Sequence, residues 1–191
     1  KTKKIAEVQS LLKKGATPDA TDRNGVWTPL MLALESNESS MVKLLLDSGA
    51  DPNRTAPNSP DLPLMYASNI PMIEMLIEKG ADMHLRNSLS GLSVLTAAIY
   101  NQSPELLEYY LNRGVDINMR DRKGTTPLML AARLCRRNLV GILVKRGADM
   151  DCKDRNGMTA LSHALTNADR ESRTNECSQG YRFLLDQGAG K

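Results

Sequence analysis

The sequence predicts an all-α solenoid of stacked helix-turn-helix units, on three observations. A glycine set in helix-ending surroundings recurs at Gly15, Gly49, Gly80, Gly114, Gly147 and Gly188, in steps of 34, 31, 34, 33 and 41 residues. A helix-opening position recurs at Thr28, Leu62, Ser93, Thr126 and Thr159, in steps of 34, 31, 33 and 33. Aromatic residues make up 4% of the chain and hydrophobic residues 41%. The core must therefore be Leu, Ile, Val, Met and Ala, which suits thin helices that bury their apolar faces only by stacking on neighbours.

Residues 122–154 show the unit most clearly. Gly124 marks a turn. Thr126 and Pro127 open a helix, because Thr is a favoured cap and Pro suits the first helical position. Leu128, Leu130, Ala131 and Ala132 follow, and the small Ala pair lets another helix approach closely. Leu139, Val140, Ile142, Leu143 and Val144 make a second short apolar helix. Lys145 and Arg146 sit in its last turn, and Gly147 ends it with a residue free to take positive φ.

Segments in phase with this unit are TPLMLAL (28–34), LPLMYAS (62–68), SVLTAAI (93–99), TPLMLAA (126–132) and TALSHAL (159–165). Each of the first four is followed by a second-helix end: LLLDSGADPN (44–53), MLIEKGADMH (75–84), YYLNRGVDIN (109–118) and ILVKRGADMD (142–151). These segments resemble the ankyrin repeat, a unit of about 33 residues with the signature T-P-L-H-x-A. The resemblance covers essentially the whole chain. It implies a single ankyrin-repeat domain over residues 1–191, an all-α solenoid with hairpin-like finger loops. It also implies a concave face lined by fingers and first helices.

Taken in order, residues 1–21 are a partial first repeat. Ile5, Val8, Leu11 and Leu12 share one face at helical spacing, as in a second helix whose first half is missing. Residues 22–55 form a repeat with one extra residue before its helix, in NGVWTPL, beside Trp27, the only tryptophan. Residues 56–87 form an irregular, short repeat. Its inter-helix connection is about three residues short near Ser68–Pro71, and Pro71 starts its second helix. Residues 88–121 return to period, with Tyr109 and Tyr110 at core positions. Residues 122–154 are the regular unit. Residues 155–191 are the last repeat, enlarged by a polar inserted loop at about 166–180.

Charge is uneven. The net charge is +3, but residues 1–56 carry 8 basic and 7 acidic groups, residues 57–121 carry 4 and 8, and residues 122–191 carry 13 and 7. No apolar run approaches the length of a membrane span. Cys135, Cys152 and Cys177 have neither metal nor disulfide spacing, which points to reduced thiols and an intracellular setting, cytoplasmic or nuclear. The chain starts at Lys1 rather than Met, as an excerpt of a longer chain would.

Catalysis has little support. His84 aligns with Asn53, Asn118 and Asp151, a polar column that in ankyrin repeats holds the loop after the second helix. His163 lies in a first helix without a nucleophile at helical spacing. No catalytic residue, metal site or cofactor motif is assigned. The resemblance calls for His after T-P-L, bonded to its own turn. Here that column is Met31, Met65, Thr96, Met129 and Ser162, so the usual polar link is absent and Met packs in its place.

The binding expectation rests on cations and a few apolar groups. Arg122 and Lys123 lie on one finger and Arg155 on the next, with Arg133, Arg136 and Arg137 at the end of the intervening first helix. The ankyrin arrangement implies that these six converge on the concave face. There they would draw in an acidic peptide or a phosphate-bearing ligand, Arg favouring paired hydrogen bonds to carboxylate or phosphate. Trp27, Leu92 and Tyr100 supply apolar anchorage. The reading is a monomeric, non-catalytic protein–protein interaction module for an acidic intracellular protein or peptide. Two alternatives stay open: nucleic acid or a phosphate-bearing small ligand bound through the basic C-terminal half, and a regulatory segment of a larger enzyme.

Overall fold

The computed structural model describes residues 2–168 and 175–188. The described chain is helical, with a single isolated β-bridge, Ala56 to Ser59, inside a turn. It separates into two compact units, Lys1–Ser88 and Leu89–Lys191.

The first unit holds α1 (Thr2–Lys13), α2 (Pro29–Glu35), α3 (Ser39–Asp47), α4 (Pro63–Tyr66) and α5 (Ile70–Glu78). α2 pairs with α3 as an antiparallel hairpin, α1 and α5 flank α3, and α4 flanks α2. Thr28 caps α2 by accepting the Met31 N–H at 3.2 Å, and Pro29 occupies the first turn. Leu30, Met31, Leu34, Val42, Leu45, Leu64, Met72, Ile73 and Leu76 form the core. The irregular repeat is short, but not in the connection near Ser68–Pro71 where its sequence places the shortening. Residues 67–69 join α4 to α5, as many as join α2 to α3, and α4 itself is reduced to four residues. Leu62 at its start carries no capping oxygen, and Ala67 at its end is already extended. Asn69 then caps α5 by accepting the Met72 N–H at 3.0 Å, with Pro71 in the first turn.

The second unit holds α6 (Val94–Tyr100), α7 (Pro104–Asn112), α8 (Pro127–Arg133), α9 (Arg137–Lys145), α10 (Ala160–Ala168) and α11 (Asn175–Asp186). Successive helices pair as hairpins. α6, α8 and α10 form an inner row and α7, α9 and α11 an outer row. Ala131 and Ala132 of α8 are buried, and their small side chains suit the close packing of α8 against its neighbours, α10 among them. Tyr109 and Tyr110 are core residues as the pattern requires, edge to face at 5.6 Å, with the Arg113 guanidinium 3.8 Å over the Tyr109 ring. Burial raises the Tyr110 hydroxyl above its ordinary pKa.

All six period-marking glycines have positive φ, from 80° at Gly114 to 95° at Gly188. The inserted loop expected at 166–180 is smaller than the polar composition implies. Residues 166–168 continue α10 and residues 175–180 belong to α11; the stretch between them lies outside the described residues. Neither helical stretch contains proline, and Gly180 is not among the positive-φ glycines, so nothing in them breaks a helix. Cys135 departs from the expectation of reduced thiols: it is disulfide-bonded, while Cys152 is free.

Candidate functional site

The fingers of the second unit are built by one repeated device. Asp121 Oδ1 accepts the backbone N–H groups of Lys123 and Thr125 at 2.8 and 2.7 Å. Asp154 Oδ1 does the same for Asn156 and Met158, at 2.8 and 2.9 Å. In the first unit Asp22 holds Val26 and Trp27. Counting back three residues from Gly25, Gly124 and Gly157 recovers this Asp column from sequence. The hydrogen bonds it accepts, first from Trp27, hold Asp22 below the ordinary carboxylate pKa.

This column, with one further contact, replaces the polar link that the Met column lacks. His163 sits one position after the family's histidine site, yet its Nε2 lies 3.0 Å from Asp154 Oδ2. Both residues are buried, at 6% and 9% exposure. Burial works to raise the Asp154 pKa, but the N–H groups of Met158 and Asn156 and the His163 ring outweigh it, so the carboxyl stays below its ordinary value. The expectation of an absent link is therefore corrected in the last repeat. Elsewhere Met31 and Met129 are buried in that column, and Thr96 bonds back to the Ser93 N–H at 3.3 Å.

Neighbouring fingers are tied backbone to backbone. The Arg122 N–H donates to Ser90 O and the Arg155 N–H to Lys123 O, each at 2.9 Å. Gly91 makes the first approach feasible: a Cβ there would stand 2.9 Å from Arg122 N and 3.1 Å from Asp121 Cα.

Between these fingers and the inner helices lies a cavity of about 260 Å³. Leu89, Leu92 and Tyr100 provide its apolar wall, and Arg122, Lys123 and Arg133 its cations. Tyr100 is 51% exposed and Leu89 68% exposed, so two large apolar groups face solvent beside basic ones. Asp121 also lines the cavity, but its Oδ1 is committed to the finger.

Five of the nine expected binding residues therefore come together: Leu92, Tyr100, Arg122, Lys123 and Arg133. Four do not. Arg136 and Arg137 line a different, larger cavity on the outer helices. The physical reason is the chain reversal at Cys135, whose φ of 58° turns the backbone after α8. Arg136 thereby becomes the N-cap of α9 and Arg137 its first residue. Arg155 is exposed on the next finger and is not part of the groove wall. Trp27 is in the first unit, with its ring tilted against Tyr66 at 5.2 Å between centroids, so part of its surface is used within the fold.

Leu89 escaped the sequence reading although a signal was present. It occupies the finger column that is arginine at Arg23, Arg122 and Arg155. An apolar residue in a basic column is the mark of a locally altered surface. Among the described residues no group of three or more His, Cys, Asp or Glu is placed to hold a metal. No described helix is long and apolar enough to cross a membrane.

The family profile described as ankyrin repeats (three copies) matches residues 2–87, 64–154 and 94–190. Similar proteins include Protein PhlB of Serratia liquefaciens, 36% identical over 112 residues, covering 58% of this chain and 49% of that protein. Ankyrin repeat and SAM domain-containing protein 6 of Rattus norvegicus is 34% identical over 107 residues, covering 53% of this chain and 12% of the relative. Ankyrin repeat and SOCS box protein 6 of Homo sapiens is 31% identical over 198 aligned residues, covering 94% of this chain and 47% of the relative. The chain spans about half the length of these curated relatives, or less.

Proposed function

Because this chain belongs to the ankyrin-repeat family, whose repeats are generally protein–protein interaction modules, we propose that it is a non-catalytic recognition module for an acidic segment of a partner protein. The segment lies in the groove formed by α6, α8 and their fingers. The observation that carries this reading is the mixed wall of the 260 Å³ cavity: exposed Tyr100 and Leu89 beside Arg122, Lys123 and Arg133. Tyr is well suited to anchor a partner, since it offers a large, rigid apolar area with a polar tip, and Arg matches carboxylates in paired geometry. The buried His163–Asp154 pair is used to hold a finger and offers no exposed base. In the cytoplasm or nucleus, where such a module would work as a monomer, the Cys135 disulfide would be a transient rather than a permanent bond.

The test is capture of partners from a cell extract by the wild-type chain and by Arg122→Glu/Lys123→Glu, before and after nuclease treatment, with mass spectrometry of what is retained. The reading expects a protein partner that survives nuclease, is lost with the double variant, and elutes as salt rises, since exposed charges are screened over roughly 10 Å at 0.1 M. Retention that vanishes with nuclease would transfer the groove to nucleic acid. Retention unchanged in the double variant would remove the groove from the interface.

A further inference from the structure

We infer that the second unit carries a separate phosphate-binding site on its outer helices, in the cavity of about 580 Å³ bordered by α9 and α11. The cavity is lined by Arg136, Arg137 and Lys145, and by the amides Asn138 and Gln179. No carboxylate is among its described lining residues.

Three observations converge on an anion. The first is charge without partners. Among the described residues, no ion pair or hydrogen bond is made by the side chains of Lys145, Arg136 and Arg137, and Arg136 Nε is buried with no acceptor. Other cations of the outer row are engaged: Arg146 bonds Glu108 at 3.2 Å and also Asn112, and Arg113 covers the Tyr109 ring. A buried donor without an acceptor is costly, and gathering like charges adds repulsion that a bound anion relieves. The second is the start of α9. Its N-cap, Arg136, makes no side-chain cap bond, so beyond the Arg137 N–H, which donates to Cys135 O at 3.1 Å, the first-turn N–H groups of this nine-residue helix have no side-chain cap. They add positive potential beside Arg136 and Arg137, at the end of α9 opposite Lys145. The third is Gly141. It lies inside α9, where glycine is poorer than alanine, yet a Cβ there would meet nothing within 4 Å. Packing does not demand glycine at this position; its effect is to leave the cavity wall open.

A phosphate group fits this set better than a single carboxylate. It brings up to two negative charges and three acceptor oxygens to three cations and a helix N-terminus. The chemistry is shared by a phosphorylated protein segment and by free or small-molecule phosphate, and affinity separates the two sources.

The experiment is a nitrogen-resolved NMR titration of the full chain with inorganic phosphate and, separately, with a phosphoserine peptide. Saturable shifts are expected at the amides of Arg137, Asn138 and Leu139. The variant Arg137→Glu/Lys145→Glu should weaken binding at least tenfold with little change in Tm, because an acid in the first turn of α9 suits the helix dipole and offsets the unfavourable acid in its last turn. If that pair unfolds, Arg137→Gln/Lys145→Gln removes the charge and retains most of each side chain's bulk. Tighter binding of the peptide than of inorganic phosphate assigns the site to a phosphorylated segment; equal affinity assigns it to free or small-molecule phosphate. Absence of saturable shifts with both probes overturns the site. So does an equal loss from Arg122→Glu/Lys123→Glu, which would show diffuse charge rather than a cavity.

Discussion

His163 Nε2 stands 3.0 Å from Asp154 Oδ2, helix to finger, with both side chains buried. An ionised carboxylate only accepts, so the ring donates from Nε2. The same Asp154 holds its finger through Asn156 and Met158. Replacing His163 with Leu should cost about 1–3 kcal/mol, as expected when a buried acceptor loses its partner. Urea denaturation of the wild type and the variant measures it. A change below about 0.5 kcal/mol would show that the pair is incidental.

The same carboxyl has a pH consequence. Its pKa in the folded chain is below the ordinary value. Its contribution to stability is therefore complete above the ordinary carboxylate range and is lost as pH falls through the depressed folded value. Asp154→Asn should flatten the acid limb of the stability curve. Denaturation midpoints between pH 7 and pH 3 for both chains check this; parallel curves would contradict it.

Gly91 and Gly114 both have positive φ, at 77° and 80°, but for different reasons. Gly114 has open space where a Cβ would go, so Gly114→Ala should cost only the backbone strain, about 1–2 kcal/mol. Gly91→Ala meets the backbone of Asp121 and Arg122 as well, and should cost about 1–3 kcal/mol more. Thermal unfolding of the two variants side by side tests the ranking, and equal losses would argue against the tight finger contact.

The rings of Trp27 and Tyr66 pack on each other, with centroids 5.2 Å apart. A double-mutant cycle with Trp27→Ala and Tyr66→Ala should return a coupling of about 0.5–1.5 kcal/mol in unfolding free energy. Additive losses would mean the rings touch without mutual benefit and would return Trp27 to the list of candidate partner contacts.

Tyr100 is the opposite case, half exposed at the groove. Tyr100→Ala should leave Tm nearly unchanged and weaken partner binding by about 2 kcal/mol, the scale of an interface hot spot. Calorimetric titration against the captured partner measures it; unchanged affinity would remove the apolar anchor from the groove.

The sequence by itself determined the repeat. Period-marking glycines, helix-opening Thr and Pro, and the Leu, Ile, Val and Ala faces are local signals, each tied to backbone conformation or helical spacing. Hence α2, α6, α8 and α10 begin where Thr28, Ser93, Thr126 and Thr159 place them, and the short span from Pro63 to Gly80 could be counted, although only the structure placed the shortening in α4 rather than in the connection after it. Leu92, Tyr100, Arg122, Lys123 and Arg133 were legible as a group because repeat geometry carries them to one surface. Tertiary structure alone decided which side of a hairpin each arginine takes. Only three residues separate Arg133 from Arg137, but the left-handed turn at Cys135 sends one to the inner groove and the other to the outer helix. It also decided that His163, one place off the family position, reaches Asp154, and that the Trp27 ring meets Tyr66. Such contacts depend on where side chains end in space, which composition and spacing along one chain do not encode.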